Sequence, residues 1–223
     1  MIAPLRLAVL ASGRGSNLQA ILDAIGDGAL DASVVGVFSD RRKAIALERA
    51  RNAGIPAIAV SPKSFETRDA FDAALFAEVA AVRPDLIVCA GYMRLLGVAE
   101  VEAWHGRMIN IHPSLLPRHK GLHTHAQALA DGVAEHGCSV HFVTAELDGG
   151  PVIAQATVPV LESDDVDALA ARVLDREHPL LIATLQLFSA RRLCLDGTSV
   201  QFDGRPLRAP LRLAGMDLRE IDA

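Results

Sequence analysis

The sequence predicts an α/β fold: an open, twisted, mostly parallel sheet with helices on both faces, gaining antiparallel strands toward the C-terminus. Two observations lead there. Short apolar runs rich in Val and Ile alternate with longer segments of helical period, and after Asn110 that alternation gives way to two strand-like runs joined by a turn. The first pattern builds βαβ units, whose crossover helices cover both faces of a parallel sheet. The second is the pattern of an antiparallel pair.

Each element can be justified in order. LRLAVLAS reads as the first strand and SNLQAILDAI as the helix behind it; SVVGVFSD and KAIALERARNAG repeat the unit. FETRDAFDAALFAEVAAV sets Phe65, Phe71, Leu75, Phe76 and Val79 at mixed three- and four-residue spacings, the period of a helix with one buried stripe. PDLIVCAG is the next strand, followed by a segment running to Trp104. RMINIHPSLLP is another, stopped by Pro113. HGCSVHFVTAEL and GGPVIAQATVPVL form two strands joined through LDGG. SDDVDALAARVLDREHPLLIATLQLFSA opens on a Ser/Asp cap and reads as one long helix that Pro179 should kink or divide. RLCLDGTSVQFDGRPL looks like a small hairpin. Residues 1–190 are therefore expected to form one α/β domain with a Rossmann-like sheet, and residues 191–223 a C-terminal hairpin and tail packed on it. The chain contains no internal repeat, linker or low-complexity tract.

Composition narrows the class of function. At 223 residues, with 51% hydrophobic and 22% charged side chains, the chain has the make-up of a globular protein with a core. A net charge of -5 argues against a nucleic-acid surface, which concentrates Lys and Arg. No apolar run reaches the roughly 20 residues of a spanning helix, and the N-terminus lacks the pattern of a signal peptide. A cytoplasmic protein without a membrane partner is the expectation. Cys89, Cys138 and Cys194 are odd in number and far apart, which fits reduced thiols; Cys89, inside LIVCAG, reads as core.

Chemistry has three candidate seats. In ASGRGSNLQAIL, Gly13 and Gly15 permit a tight turn, and the amides of Gly15, Ser16 and Asn17 could face an anion at a helix N-terminus. A dinucleotide fingerprint would need a third glycine where Leu18 stands, and no Gly-Lys-Ser/Thr follows. A monophosphate site survives, against a plain glycine turn capped by Ser16 or Asn17. In INIHP, Asn110 and His112 share one side of a strand, because direction alternates with period two. Pro113 puts them near its carboxyl end, where open α/β sheets bind ligands. Asn can donate to a developing oxyanion, and His can exchange a proton near neutral pH. In TAELDGG, Asp148 is either a solvated turn carboxylate or the group that orients His112, in which case it should raise that histidine's pKa. GLHTH brings His123 and His125 close in sequence, with His136 and His141 beyond, but neither HExxH nor a Cys pair at finger spacing is present. No metal is expected.

Taken together, these segments resemble the folate-dependent formyltransferase family, and within it the glycinamide ribonucleotide branch of purine synthesis. SGRGSNLQAI, FSD, ERA, GYMRLL, INIHPSLLP, GLHTHAQAL, HGCSVHFVTAELDGGPVIAQ and REHPL carry the likeness in order over nearly the whole chain. Related tRNA formyltransferases have an added C-terminal domain and a basic surface. Formyltetrahydrofolate hydrolases resemble the chain too, but usually have an N-terminal regulatory domain and a different sequence after the catalytic histidine. The resemblance implies transfer of a formyl group from 10-formyltetrahydrofolate, as co-substrate, to the amine of 5'-phosphoribosylglycinamide, by a monomer or homodimer. It implies catalytic roles for Asn110, His112 and Asp148. Gly15, Ser16, Asn17, Leu174, Asp175, Arg176 and Glu177 would hold the ribonucleotide. Arg68, Met93, Arg94, Leu95, Leu96, Asn110, Thr144, Ala145, Glu146, Leu147 and Asp148 would lie on the folate side. One departure is RHK between SLLP and GLHTH, where some relatives carry a proline before the glycine.

Overall fold

The computed structural model of the chain describes residues 3–220, which form two compact units, one up to Asn110 and one from Ile111.

The first unit alternates strand and helix as its sequence predicts, and adds a strand at Ala57–Ala59 that is too short to be read from the sequence. β1 (Leu5–Leu10), β2 (Ala32–Ser39), β3 (Ala57–Ala59), β4 (Leu86–Cys89) and β5 (Met108–His112) lie in the order β3-β2-β1-β4-β5, each pair parallel. All four residues of β4 are buried. Successive side chains point to opposite faces, so both faces of this sheet are covered. The cover comes from α1 (Ser16–Gly26), α2 (Ile45–Asn52), α3 (Arg68–Ala81) and α4 (Val98–Ala103), with α1 touching α2 and α3 touching α4. Most of the stripe expected in α3 forms: Phe71, Leu75, Phe76 and Val79 are buried, and Thr67 caps the helix by accepting from the Ala70 amide, whereas Phe65 lies ahead of the helix and is half-buried. The segment expected to be helical up to Trp104 is shorter, because residues 91–97 run irregularly before α4.

β5 carries the chain from the first unit into the second, which adds α5 (Thr124–Ala130), β6 (Glu135–Phe142), β7 (Val152–Pro159) and α6 (Val166–Ser189). β6 and β7 pair antiparallel, so the mostly parallel sheet with antiparallel members after Asn110 is what the chain forms. The cap of α6 is Asp165, which accepts from the Ala168 amide at 2.8 Å. Pro179 does not divide α6, which runs through it. Leu169, Val173, Leu180, Leu181, Leu185 and Phe188 are buried along the helix, and its packing on β6 and β7 outweighs the hydrogen bond that a proline cannot donate.

β8 (Leu193–Asp196) and β9 (Ser199–Phe202) make the expected hairpin, and β10 (Arg205–Pro206) adds to it. Arg192 closes its base with two bonds of 2.7 Å to the Asp203 carboxylate. Beyond it, β11 (Leu211–Ala214) runs parallel to β7 and β12 (Asp217–Arg219) turns back on β11. At four and three residues, these strands are too short to carry a readable period.

Candidate active site

In the first unit the glycine turn opens α1 without help from a capping side chain. Gly15 is the N-cap, at φ 71°, a left-handed conformation that glycine adopts freely. A Cβ there would stand 2.7 Å from the Ala46 Cβ, because the turn is held against α2: the Ala46 amide donates to the Gly13 carbonyl at 3.1 Å. Arg49 fastens the same corner through the Arg14 carbonyl and the Gln19 side chain. Neither Ser16 nor Asn17 is the cap; both lie inside the first turn of α1.

Asn110 and His112 occupy alternate positions of β5 and so share a side, at the end of the strand that Pro113 stops. Asn110 is half-buried, and its backbone pairs with Cys89. His112 is 5% exposed, so it is not a surface histidine closing a strand. Its Nε2 lies 3.0 Å from the His119 carbonyl oxygen. A carbonyl only accepts, so Nε2 carries the proton. Nδ1 faces the Asp148 carboxylate at 3.5 Å, an ion-pair distance too long for a strong hydrogen bond.

Asp148 is not a solvated turn residue. It sits at φ 47° with its side chain 8% exposed. Oδ2 accepts from the Gly121 amide at 2.8 Å, and Oδ1 lies 3.6 Å from Nε2 of His141. His141 was not singled out as a partner by the sequence. Its Nδ1 donates to the Phe142 carbonyl at 2.8 Å, which turns Nε2 toward Asp148. The available signal is HGCSVHF, in which a buried strand carries a histidine that must find a polar partner.

Electrostatics correct one expectation. The carboxylate of Asp148 does push the His112 pKa up, as does the bond to His119, but burial acts more strongly and the ring titrates below its ordinary value. A buried imidazolium loses more hydration than this partner at 3.5 Å returns. Burial likewise pushes Asp148 up, yet the facing His141 ring, the bond from the Gly121 amide and the nearby His112 together hold it below the usual carboxylate range.

The residues after Pro113 dock on the same group. Within RHK, His119 pairs with Asp131 at 3.0 Å and Lys120 with Glu146 at 2.7 Å. His125 lies 3.2 Å from His136, whereas His123 is exposed and serves as N-cap of α5, so the pair in GLHTH is not brought together. Among the described residues no group of three or more His, Cys, Asp or Glu side chains is arranged to hold a metal ion. Cys89 is buried in β4, its thiol pushed up to about 12 by burial.

The remaining expected residues fall by unit. In the first, Arg68 opens α3, while Met93, Arg94 and Leu95 are exposed and Leu96 half-buried. In the second, Thr144, Ala145, Glu146 and Leu147 lead into Asp148, and Leu174, Asp175, Arg176 and Glu177 lie along the first half of α6.

Comparison with known proteins adds a family. The formyl transferase family model matches residues 5–185. The chain is 47% identical over 203 residues to phosphoribosylglycinamide formyltransferase of Escherichia coli strain K12, covering 91% of this chain and 96% of that one. It is 49% identical over 175 residues to the trifunctional purine biosynthetic protein adenosine-3 of Drosophila melanogaster, spanning 78% of this chain but 13% of that longer protein. The solved phosphoribosylglycinamide formyltransferase of Coxiella burnetii, in complex with CHES, superposes with a TM-score of 0.88 at 46% identity, over 92% of this chain and 96% of that one.

Proposed function

The chain belongs to the formyl transferase family and is a formyltransferase; from that premise we propose that it moves a formyl group from 10-formyltetrahydrofolate to the amine of 5'-phosphoribosylglycinamide in purine synthesis. The observation that carries the reading is the buried His112–Asp148 pair at the end of β5, two positions from Asn110 on the same strand.

In this scheme the amine nitrogen attacks the formyl carbon and a tetrahedral intermediate with an anionic oxygen forms. Asn110 and His112 donate to that oxygen, each such donor being worth on the order of 3 kcal/mol. The oxygen replaces the His119 carbonyl as acceptor of the Nε2 proton. Burial keeps His112 from charging readily, and negative charge developing beside the ring is what favours the imidazolium. Asp148 faces Nδ1 and stabilises the ring when that nitrogen takes a proton. The attacking amine gives up a proton, the leaving folate nitrogen takes one, and the carbon–nitrogen bond to the folate breaks. The turn at Gly15, Ser16 and Asn17 takes the ribonucleotide phosphate, with residues 174–177 toward the rest of it. Arg68, residues 93–96 and residues 144–148 serve the donor. The reading makes this a cytoplasmic enzyme of small molecules, monomer or homodimer, with no nucleic-acid, membrane or metal partner.

The test offers the purified protein 10-formyltetrahydrofolate with and without 5'-phosphoribosylglycinamide and follows the deformylated folate by absorbance. Turnover is expected only with both substrates present. Rapid formate release without the ribonucleotide would replace transfer by hydrolysis, and His112→Ala with undiminished transfer would remove the acid–base scheme.

A further inference from the structure

The segment 91–97 follows β4 with no helix or strand of its own, and Met93 and Leu95 stand 57% and 55% exposed. Its course is nevertheless fixed at both ends by carboxylates taken out of water. At the near end the Met93 amide donates to Ser12 Oγ at 2.9 Å, and that hydroxyl donates to Asp40 Oδ1 at 2.6 Å. Ser12 and Asp40 are 2% and 9% exposed. At the far end the Gly97 amide donates to Asp72, whose Oδ2 also accepts from Arg68 Nε at 3.3 Å.

Asp72 is the odd member of its helix face. It is 1% exposed, beside Phe71, Leu75, Phe76 and Val79 in the buried stripe of α3, where an apolar side chain would simply extend the core. A carboxylate kept there loses hydration that ion pairing only partly returns. Burial pushes its pKa up, Arg68 and the Gly97 amide pull it back, and Glu100 adds to the rise. The backbone comes close on purpose of shape: a Cβ on Gly97 would stand 3.1 Å from Asp72 Oδ2 and 2.6 Å from Glu100 Oε2. Just ahead of the near anchor the Tyr92 hydroxyl lies in the field of both Asp40 and Asp72, and between the anchors Arg94 rests 5.1 Å above the Phe71 ring.

We propose that Asp72 is a positioning residue for donor binding, fixing Arg68 and the segment 93–96 relative to one another without itself touching the donor. The inference rests on the reading above that Arg68 and residues 93–96 serve the folate. Through Arg68 Nε the carboxylate holds the guanidinium by one edge. Through Gly97 it sets where the segment ends, while Ser12 and Asp40 set where it begins. A core built only from apolar contacts would allow the segment to slide, whereas hydrogen bonds to a buried charge fix direction as well as distance.

Steady-state kinetics on Asp72→Asn, Gly97→Ala and Arg68→Ala test this, with KM measured separately for donor and ribonucleotide. Asp72→Asn is expected to raise the donor KM roughly tenfold, equivalent to losing one charge-assisted hydrogen bond. Turnover at saturating donor and the ribonucleotide KM should each stay within about twofold. Gly97→Ala disturbs the same contact from the backbone side and should show the same split, so the proposal is tested even if the Asn variant does not fold. Combining Asp72→Asn with Arg68→Ala should cost less than the two single changes added, because part of the effect passes through the guanidinium. A raised donor KM in Arg68→Ala with none in Asp72→Asn or Gly97→Ala would overturn the positioning role and leave the donor reading standing. An unchanged donor KM in Arg68→Ala would remove the donor reading and this proposal with it. Equal rises in both KM values, with turnover lost at saturation, would make Asp72 a structural residue only.

Discussion

Replacing Asp148 by Asn removes the charge that faces His112 and His141 while keeping the size of the side chain and one acceptor for the Gly121 amide. Turnover of Asp148→Asn should fall by about 100-fold, with the ribonucleotide KM changed less than about threefold, since the lost interaction belongs to the transition state. Wild-type turnover in that variant would cancel the assigned role. A different residue limits the glycine turn that opens α1. Gly15→Ala forces a side chain into left-handed backbone and into the Ala46 Cβ 2.7 Å away, at a cost of roughly 2 kcal/mol. Urea unfolding should register that loss, and the ribonucleotide KM should rise with it. An unchanged midpoint would mean that α2 yields freely at Ala46.

At the scale of elements, the docking of α5 depends on a neutral histidine. His136 on β6 is 1% exposed and faces His125 and His119 edge to face. Burial first, then the charges of His125, His119 and His112, push its pKa down to about 4 from 6.5. The unfolded chain therefore binds this proton more readily than the folded one. The stabilising contribution is complete above about 6.5, declines as pH falls, and is lost by about 4. Amide exchange in residues 124–130 should accelerate over that window, and His136→Gln should flatten the profile. Protection that holds steady down to pH 4 would refute the assignment. α6 illustrates the opposite balance: a proline that breaks a helix in isolation is carried by the packing of Leu180, Leu181 and Leu185.

For the molecule as a whole, the family match ends at residue 185, yet the chain beyond it completes the second unit. Leu211 is fully buried, and β11 pairs with β7 at Ala154 and Gln155; Leu193, Val200 and Phe202 on β8 and β9 are buried as well. Ending the chain after Arg191 would leave β7 with an open apolar edge, a template for pairing between chains. Such a truncated protein should aggregate on a sizing column and unfold at lower temperature. A soluble monomer with an unchanged midpoint would show the tail to be dispensable.

By itself the sequence determined what is local and periodic. Apolar runs and stripes three to four apart gave β1, β2, β4 to β7, α1 to α3 and α6, the glycine turn at Gly15, and the shared side of Asn110 and His112, because each follows from geometry within one element; β3, of three residues, and α5, of seven, are too short to show a period. The tertiary structure decided what depends on distant groups: that Asp148 meets His112, that His141 and the Gly121 amide complete its surroundings, that β11 joins β7, and that α6 runs through Pro179 undivided. It also reversed the expected direction of the His112 pKa. A residue's partner charge can be guessed from a motif, but the water excluded around it is set by every segment packed against it, and for this ring that exclusion is the larger effect.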